Sequence, residues 1–285
     1  MENHNTKKRV KLLIQIGLTL LAIYLLLSKV SVDDILTAIK TSNIYYLLLA
    51  FIAFNISKII SAVRLNQFFM DIGLKLSQSY NLSLYYLGMF YNLFLPGGIG
   101  GDGYKVYLLN KKHHKKVFTL TKALLLDRVS GLIALLLFTT FLLLFSSFSK
   151  ISYWIPIGSL LFLLTIYPLT LLIYKSKFRE FLESFKSTNF KALLVQLFQL
   201  ICAYFIIISL DSHADIIDLL VIFFISSIVA ILPFTVGGIG ARELTFLYLL
   251  EYIHSDVNIG VTLSVLFFII TAISSLIGIL FIKKF

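Results

Sequence analysis

The stretch LLVIFFISSIVAILPFTVGGIGARELTFLYLL, residues Leu219 to Leu250, decides the fold. Its first part is apolar enough to lie in a membrane, but a Leu-Pro pair and three glycines then interrupt it. Proline removes a backbone donor and glycine costs about 1 kcal/mol in a helix, so one continuous helix is excluded. We therefore predict a broken or re-entrant helical hairpin. Its irregular backbone is tolerated at membrane depth only where protein or a wet cavity surrounds it.

A second interrupted segment, Tyr80 to Leu109, matches the first. Gly97-Gly98-Ile99-Gly100-Gly101-Asp102 aligns with Gly237-Gly238-Ile239-Gly240-Ala241-Arg242, and a Leu-Pro pair stands shortly before each. Each half of the chain then has the order span, span, broken hairpin, span, and the basic flanks place the halves in opposite orientations. This pattern predicts an inverted repeat with halves 1–148 and 149–285, and a transport site near the midplane where the two breaks meet.

The rest of the chain has the composition of a membrane protein. Of its 285 residues, 59% are apolar and 14% are charged, whereas soluble domains carry about 25% charged residues. We predict an all-α polytopic membrane protein with about six full spans and two broken hairpins, forming a single membrane domain over residues 1–285. The full spans are expected at Leu12–Leu27, Ile44–Val63, Val129–Phe148, Trp154–Tyr174, Ala192–Leu210 and Val257–Ile282.

The charge pattern sets the predicted orientation. The net charge is +11, and most Lys and Arg residues lie in short segments between apolar runs. That distribution fits the positive-inside rule and anionic lipid headgroups better than nucleic acid. We expect a multi-pass protein of the cell inner (plasma) membrane with both termini in the cytoplasm, and an uncleaved first span because no small-residue cleavage site follows it. Ser28–Asn43 is expected to be an outer loop, and Lys175–Lys191 a helix on the inner membrane surface.

The two breaks carry the candidate binding residues. Each break is predicted to open a helix, whose free N–H groups and positive dipole end attract phosphate; tight helix packing is the alternative role of the glycines. A charge at the bilayer centre costs about 2.5–3.5 kcal/mol, so Arg242 and Glu243 need partners. Arg242 suits a substrate phosphate, whereas Glu243 serves either the substrate or the helix as a cap. The predicted substrate-binding residues are Arg64, Gly98, Gly100, Gly101, Asp102, Asp127, Arg128, Gly237, Gly238, Gly240, Arg242 and Glu243.

Several features have a plainer interpretation. Arg128 has the alternative role of an anchor at the membrane interface. For Lys58, the alternative is that its long side chain extends so that the ammonium reaches the inner membrane surface. The spacing of Gly98, Gly100 and Gly103 matches a dinucleotide fingerprint, but an apolar helical run and not a strand precedes it. A dinucleotide site is therefore not expected.

The sequence offers no catalytic or metal-binding pattern. Its single cysteine, Cys202, excludes an internal disulfide, and the five histidines show no metal-ligand spacing. Hydrolase and metalloprotease motifs are missing as well. We expect no catalytic residues, no metal and no cofactor.

Three motifs together resemble one known family. They are Leu95-Pro96-Gly97-Gly98-Ile99-Gly100-Gly101-Asp102-Gly103, Asp127-Arg128-Val129-Ser130-Gly131, and Leu232-Pro233 with Gly237 through Leu244. Over essentially the whole chain, the sequence resembles the flippase-like membrane domains related to the N-terminal transmembrane domain of lysylphosphatidylglycerol synthase. The resemblance implies a domain that moves a phospholipid or glycolipid between leaflets, while aminoacyl transfer belongs to a further cytoplasmic domain of those enzymes. No such domain follows Ile282, so we expect a lipid flippase and no enzymatic activity.

Other functions stay open at this stage. One is a secondary transporter of a small anionic solute, coupled to H⁺ or Na⁺ through Glu243 or Asp102. Another is a membrane-embedded transferase acting on a lipid-linked substrate, and a third is a scaffold for a lipid-modifying enzyme. The expected partners are membrane lipids with anionic headgroups at the cytoplasmic face, and either further copies of this chain or a lipid-modifying enzyme.

Overall fold

The protein is all-α in a computed structural model that describes residue 24 and residues 32–94, 100–211, 214–231 and 240–285. No strand occurs within these ranges, which confirms the predicted fold class. Short 3-10 helices lie at Ser147–Lys150, Arg179–Phe181 and Ile277–Lys284. The α-helices are α1 (Val32–Thr41), α2 (Ile44–Asp71), α3 (Gln78–Phe94), α4 (Gly100–His113), α5 (Val117–Leu143), α6 (Trp154–Lys177), α7 (Phe185–Ser209), α8 (Ile216–Ile231), α9 (Ala241–Tyr252) and α10 (Val257–Leu276).

Five helices in the described ranges are long and apolar enough to cross a membrane: α2, α5, α6, α7, and α10 with the 3-10 helix that follows it. The 28 residues of α2 span about 42 Å at 1.5 Å per residue, which exceeds the hydrocarbon core of about 30 Å. The chain is therefore a polytopic helical membrane protein. A sixth predicted span, Leu12–Leu27, lies outside the described residues except for residue 24, and the inverted relation of the two halves stays a prediction.

Two helices extend into segments that were expected to be loops. The predicted outer loop Ser28–Asn43 contains α1, an amphipathic helix that packs against α10. Helix α5 begins at Val117, well before the predicted start at Val129. A charged side chain of its early turns, that of Lys122, is paired with Glu180 of the 3-10 turn.

The predicted surface helix over Lys175–Lys191 is wrong. Helix α6 continues to Lys177, a 3-10 turn occupies Arg179–Phe181, and α7 begins at Phe185. Phe181 and Phe185 are fully buried and pack against the rings of Phe68 and Tyr174. The periodic phenylalanines do mark an apolar face, but that face packs against protein and not against lipid.

Helices α2, α5 and α7 form the centre of the bundle and contribute to two separate apolar cores. One core contains Phe54, Leu135 and Cys202 together with residues of α8, α9 and α10. The other contains Phe68, Leu124 and Phe185 together with residues of α3, α4 and α6. On each of the three helices, polar residues lie between the part that contributes to one core and the part that contributes to the other. We call them the polar layer: Asn55, Ser57, Lys58, Ser61, Arg64, Asp127, Arg128, Ser130, Gln196 and Gln199.

Candidate functional site

A buried ion pair joins α2 to α5 within the polar layer. Arg64 Nε lies 2.8 Å from Asp127 Oδ1, and the two side chains are 5% and 11% exposed. The guanidinium lies against Gly131, where an added Cβ would be 3.5 Å from both terminal nitrogens. Because an unpaired charge is costly at this depth, the pair balances charge between the two apolar cores. The structure thus brings together two of the predicted site residues.

A second charged group, the Asp102 cluster, consists of Asp102, Lys105 and Arg128. Asp102 lies in the first turn of α4, where the helix dipole favours a carboxylate. Its Oδ1 lies 3.0 Å from Lys105 Nζ and its Oδ2 lies 2.5 Å from Arg128 Nε. Asp102 and Lys105 are nearly buried, whereas the Arg128 side chain is 38% exposed. The cluster carries one net positive charge, and Arg128 is its most accessible member.

Tyr85 on α3 connects the Asp102 cluster to the ion pair. The Lys105 ammonium lies 4.5 Å from the centroid of the Tyr85 ring, and Tyr85 is within electrostatic reach of Arg64 and Asp127. Neither Tyr85 nor Lys105 belongs to the predicted site. The i,i+3 spacing of Asp102 and Lys105 is a signal that identifies the lysine, whereas nothing in the sequence marks the tyrosine.

Gly101 brings α3 and α4 into backbone contact. Its N–H donates to Asn92 Oδ1 over 2.7 Å, and an added Cβ would lie 1.9 Å from the carbonyl oxygen of Gly88. A helix does follow the break, as predicted, but α4 begins at Gly100, two residues before the predicted start at Asp102. This contact supports the packing role for Gly101. The predicted site residues Gly98, Gly237 and Gly238 lie outside the described residues.

Glu243 caps helix α9. Its Oε2 accepts a 2.7 Å hydrogen bond from the Gly240 N–H, and its Oε1 accepts a 2.7 Å hydrogen bond from the Ser264 hydroxyl on α10. Gly240 has φ +83°, a left-handed conformation that glycine adopts without strain. Both carboxylate oxygens of the buried Glu243 are therefore used within the protein, which favours its role as a cap.

Arg242 occupies a separate position, against aromatic residues of α8 and α10. Its Nη1 donates to Ser227 Oγ over 3.0 Å. Its Cζ lies 4.8 Å from the Phe267 ring centroid and 5.6 Å from that of Phe223. Over the described ranges, no carboxylate lies within 4.0 Å of its nitrogens. Arg242 and Glu243 are thus adjacent in sequence without forming an ion pair.

Comparison with known proteins identifies the family of this chain. A search of curated proteins returned no match. A protein-family model described as the lysylphosphatidylglycerol synthase TM region matches residues 12–278. The matched range contains both breaks, the polar layer and the Asp102 cluster. This chain therefore belongs to the family of lysylphosphatidylglycerol synthase transmembrane regions.

Proposed function

We propose that this protein moves a lipid with a polar headgroup between the two leaflets of a membrane. The polar layer is the observation that carries this proposal. It lies on three membrane-long helices, between two apolar cores. A bundle that only had to pack would place apolar side chains at this level, because a charge there costs about 2.5–3.5 kcal/mol. Charged and polar groups at this depth suit the passage of a hydrophilic headgroup while the acyl chains stay in the lipid.

The Asp102 cluster is the proposed headgroup contact in the first half of the chain. Its net charge is positive, and Arg128, whose side chain is 38% exposed, has a guanidinium of the shape that binds phosphate in bidentate fashion. Asp102 fixes the orientation of this guanidinium through Nε. Lys105 keeps the buried carboxylate neutralised when Arg128 turns towards a substrate.

Flipping is measurable with the purified protein in liposomes that contain a trace of a fluorescent NBD-lipid. Dithionite added outside quenches only the probes that reach the outer leaflet. For at least one phospholipid or glycolipid, we expect more quenching than in protein-free liposomes. Arg128→Gln removes a charge-assisted contact and is expected to slow flipping about tenfold. The matched control is Arg179→Gln, which changes an exposed arginine of the 3-10 turn and should retain the rate.

Two results would contradict the proposal in different ways. A full rate in Arg128→Gln would exclude the headgroup role of that residue. Inner-leaflet probes that stay protected with every lipid tested would exclude flipping itself. Saturable uptake of a water-soluble anion by the same proteoliposomes would then identify the protein as a secondary transporter, the main alternative that the sequence leaves open.

A further inference from the structure

We infer that Lys58 and Arg242 together form a binding site for a singly charged phosphate diester; the inference rests on the proposed function and names the headgroup chemistry that the protein recognises. Lys58 lies near the middle of α2 and is half-buried. Its Nζ lies 4.4 Å from the centroid of the Phe54 ring, one turn nearer the N-terminus of the helix. The ammonium therefore points away from the end of α2 that is predicted to face the cytoplasm. This direction argues against a lysine that reaches the inner membrane surface.

One aromatic cluster carries both cations. The rings of Phe54 and Phe267 meet edge to face with centroids 5.6 Å apart, and Phe267 meets Phe223 at 4.8 Å. Lys58 lies on Phe54, and Arg242 lies on Phe267. The edge-to-face contact of Phe54 with Phe267 thus places the two cations on neighbouring rings of one cluster. Aromatic faces attract each cation, but they do not remove the repulsion between the two cations. An anion bound between Lys58 and Arg242 would remove that repulsion.

The charges around Lys58 and Arg242 leave one unit of positive charge. Glu243 acts electrostatically on Arg242, although it lies beyond ion-pair distance and is held by Gly240 and Ser264. The other cation that Lys58 faces is Arg64, and Asp127 neutralises it. A phosphate diester carries one negative charge, whereas a phosphate monoester carries about 1.5 to 2 at pH 7. The balance therefore favours the diester that links the headgroup of a phospholipid.

Hydrogen-bond donors are available at both cations. Arginine has five N–H donors and lysine has three. In the part of the chain that the structure describes, one bond holds Arg242, to Ser227, and the Lys58 ammonium has no oxygen acceptor. That bond fixes the guanidinium of Arg242 and leaves its other N–H donors for a ligand. A phosphate oxygen needs such donors from two directions, and the aromatic cluster presents them on α2 and α9.

The inference is testable by isothermal titration calorimetry on the full chain in detergent. The probes are dioctanoylphosphatidylglycerol, the phosphate-free dioctanoylglycerol, and the soluble headgroup glycerophosphoglycerol. We expect the diester lipid to bind and dioctanoylglycerol not to bind. Lys58→Gln and Arg242→Gln should each weaken diester binding about tenfold, the effect of one charge-assisted hydrogen bond. Lys150→Gln, at an exposed lysine, should leave binding unchanged. Glycerophosphoglycerol that binds as tightly as the lipid would assign the same anion site to soluble diesters.

A second variant separates binding from folding. Lys58→Met keeps the unbranched stem and removes the charge. Because Lys58 faces Arg242 and Arg64 within the bundle, its removal should raise the melting temperature of the lipid-free protein by a few degrees, while diester binding falls as in Lys58→Gln. A Lys58→Met protein that melts at a lower temperature and binds the diester like the wild type would overturn the inference.

The outcomes also distinguish this inference from the proposed function. Diester binding that needs Lys58 and Arg242, in a protein that flips no lipid, would support the site and exclude flipping. If the protein flips lipid and its diester binding is unchanged by the substitutions at Lys58 and Arg242, the result would support the proposed function and exclude this site.

Discussion

At the scale of single residues, the Arg64–Asp127 pair shows how the bundle keeps charge in its interior. Asp127→Asn leaves Arg64 charged and unpaired between two apolar cores. Removing one partner of a buried pair costs about 3–5 kcal/mol, whereas replacing both with apolar residues is often neutral. We expect Asp127→Asn to lower the melting temperature in detergent more than the double variant Arg64→Met/Asp127→Leu does. Glu183→Gln, at an exposed carboxylate, is the control, and equal losses in the single and double variants would contradict this role.

Glu243 allows a second residue-scale prediction that separates a cap from a substrate carboxylate. Glu243→Ala leaves the Gly240 N–H and the Ser264 hydroxyl without their acceptor, which should cost about 1–3 kcal/mol of stability. Glu243→Gln should recover most of it, because the amide can accept from Gly240 and donate to Ser264. We expect Glu243→Gln to flip lipid at nearly the wild-type rate. A stable but inactive Glu243→Gln protein would instead assign the carboxylate to substrate or proton coupling.

At the scale of elements, the contact between α3 and α4 depends on Gly101. An added Cβ there would lie 1.9 Å from the Gly88 carbonyl oxygen, so Gly101→Ala must push the two helices apart and displace Asp102. The same helix offers a matched control, since a Cβ at Gly103 meets nothing within 4 Å. We expect Gly101→Ala to lower both the melting temperature and the flipping rate. Gly103→Ala should gain up to about 1 kcal/mol from helix propensity, and equal behaviour of the two variants would contradict the close contact.

The elements themselves were largely predictable from sequence, whereas their contacts were not. Long uncharged runs predict helices because the hydrocarbon leaves few alternatives. The break before Ala241 gives the start of α9, and the break before α4 gives its start to within two residues, at Gly100 and not at Asp102. The prediction of a surface helix over Lys175–Lys191 was wrong because periodicity reveals an apolar face without revealing whether lipid or protein covers it. Likewise, the match between the two breaks pointed to Asp102, and the start of the following predicted span pointed to Asp127 and Arg128. Neither pattern revealed their partners, since Arg64 is 63 residues from Asp127 and Arg128 is 26 from Asp102.

At the scale of the whole molecule, the two charged sites are related through the polar layer. The Asp102 cluster lies at the first break, and Lys58 and Arg242 lie beside the second. Arg64 is within electrostatic reach of Lys58 on the same helix and of Tyr85 on α3. If the proposed function is correct, a headgroup that passes between the two sites would lie near Arg64, which is paired with Asp127. One proposed anion site thus lies near each break, and the second site joins Lys58 of the first half of the chain to Arg242 of the second half.

The inverted repeat makes a topological prediction for the whole chain. If both breaks are hairpins in oppositely oriented halves, Lys75 and Lys111 flank the first break on the cytoplasmic side, and Asp215 and Tyr252 flank the second on the outer side. All four are exposed, so each can become the single cysteine of a Cys202→Ala protein. We expect a membrane-impermeant maleimide to label Asp215→Cys and Tyr252→Cys in intact cells, and Lys75→Cys and Lys111→Cys only in inside-out vesicles. Labelling of Lys75→Cys and Lys111→Cys from opposite sides would exclude a hairpin at the first break, and labelling of all four from one side would exclude the inversion.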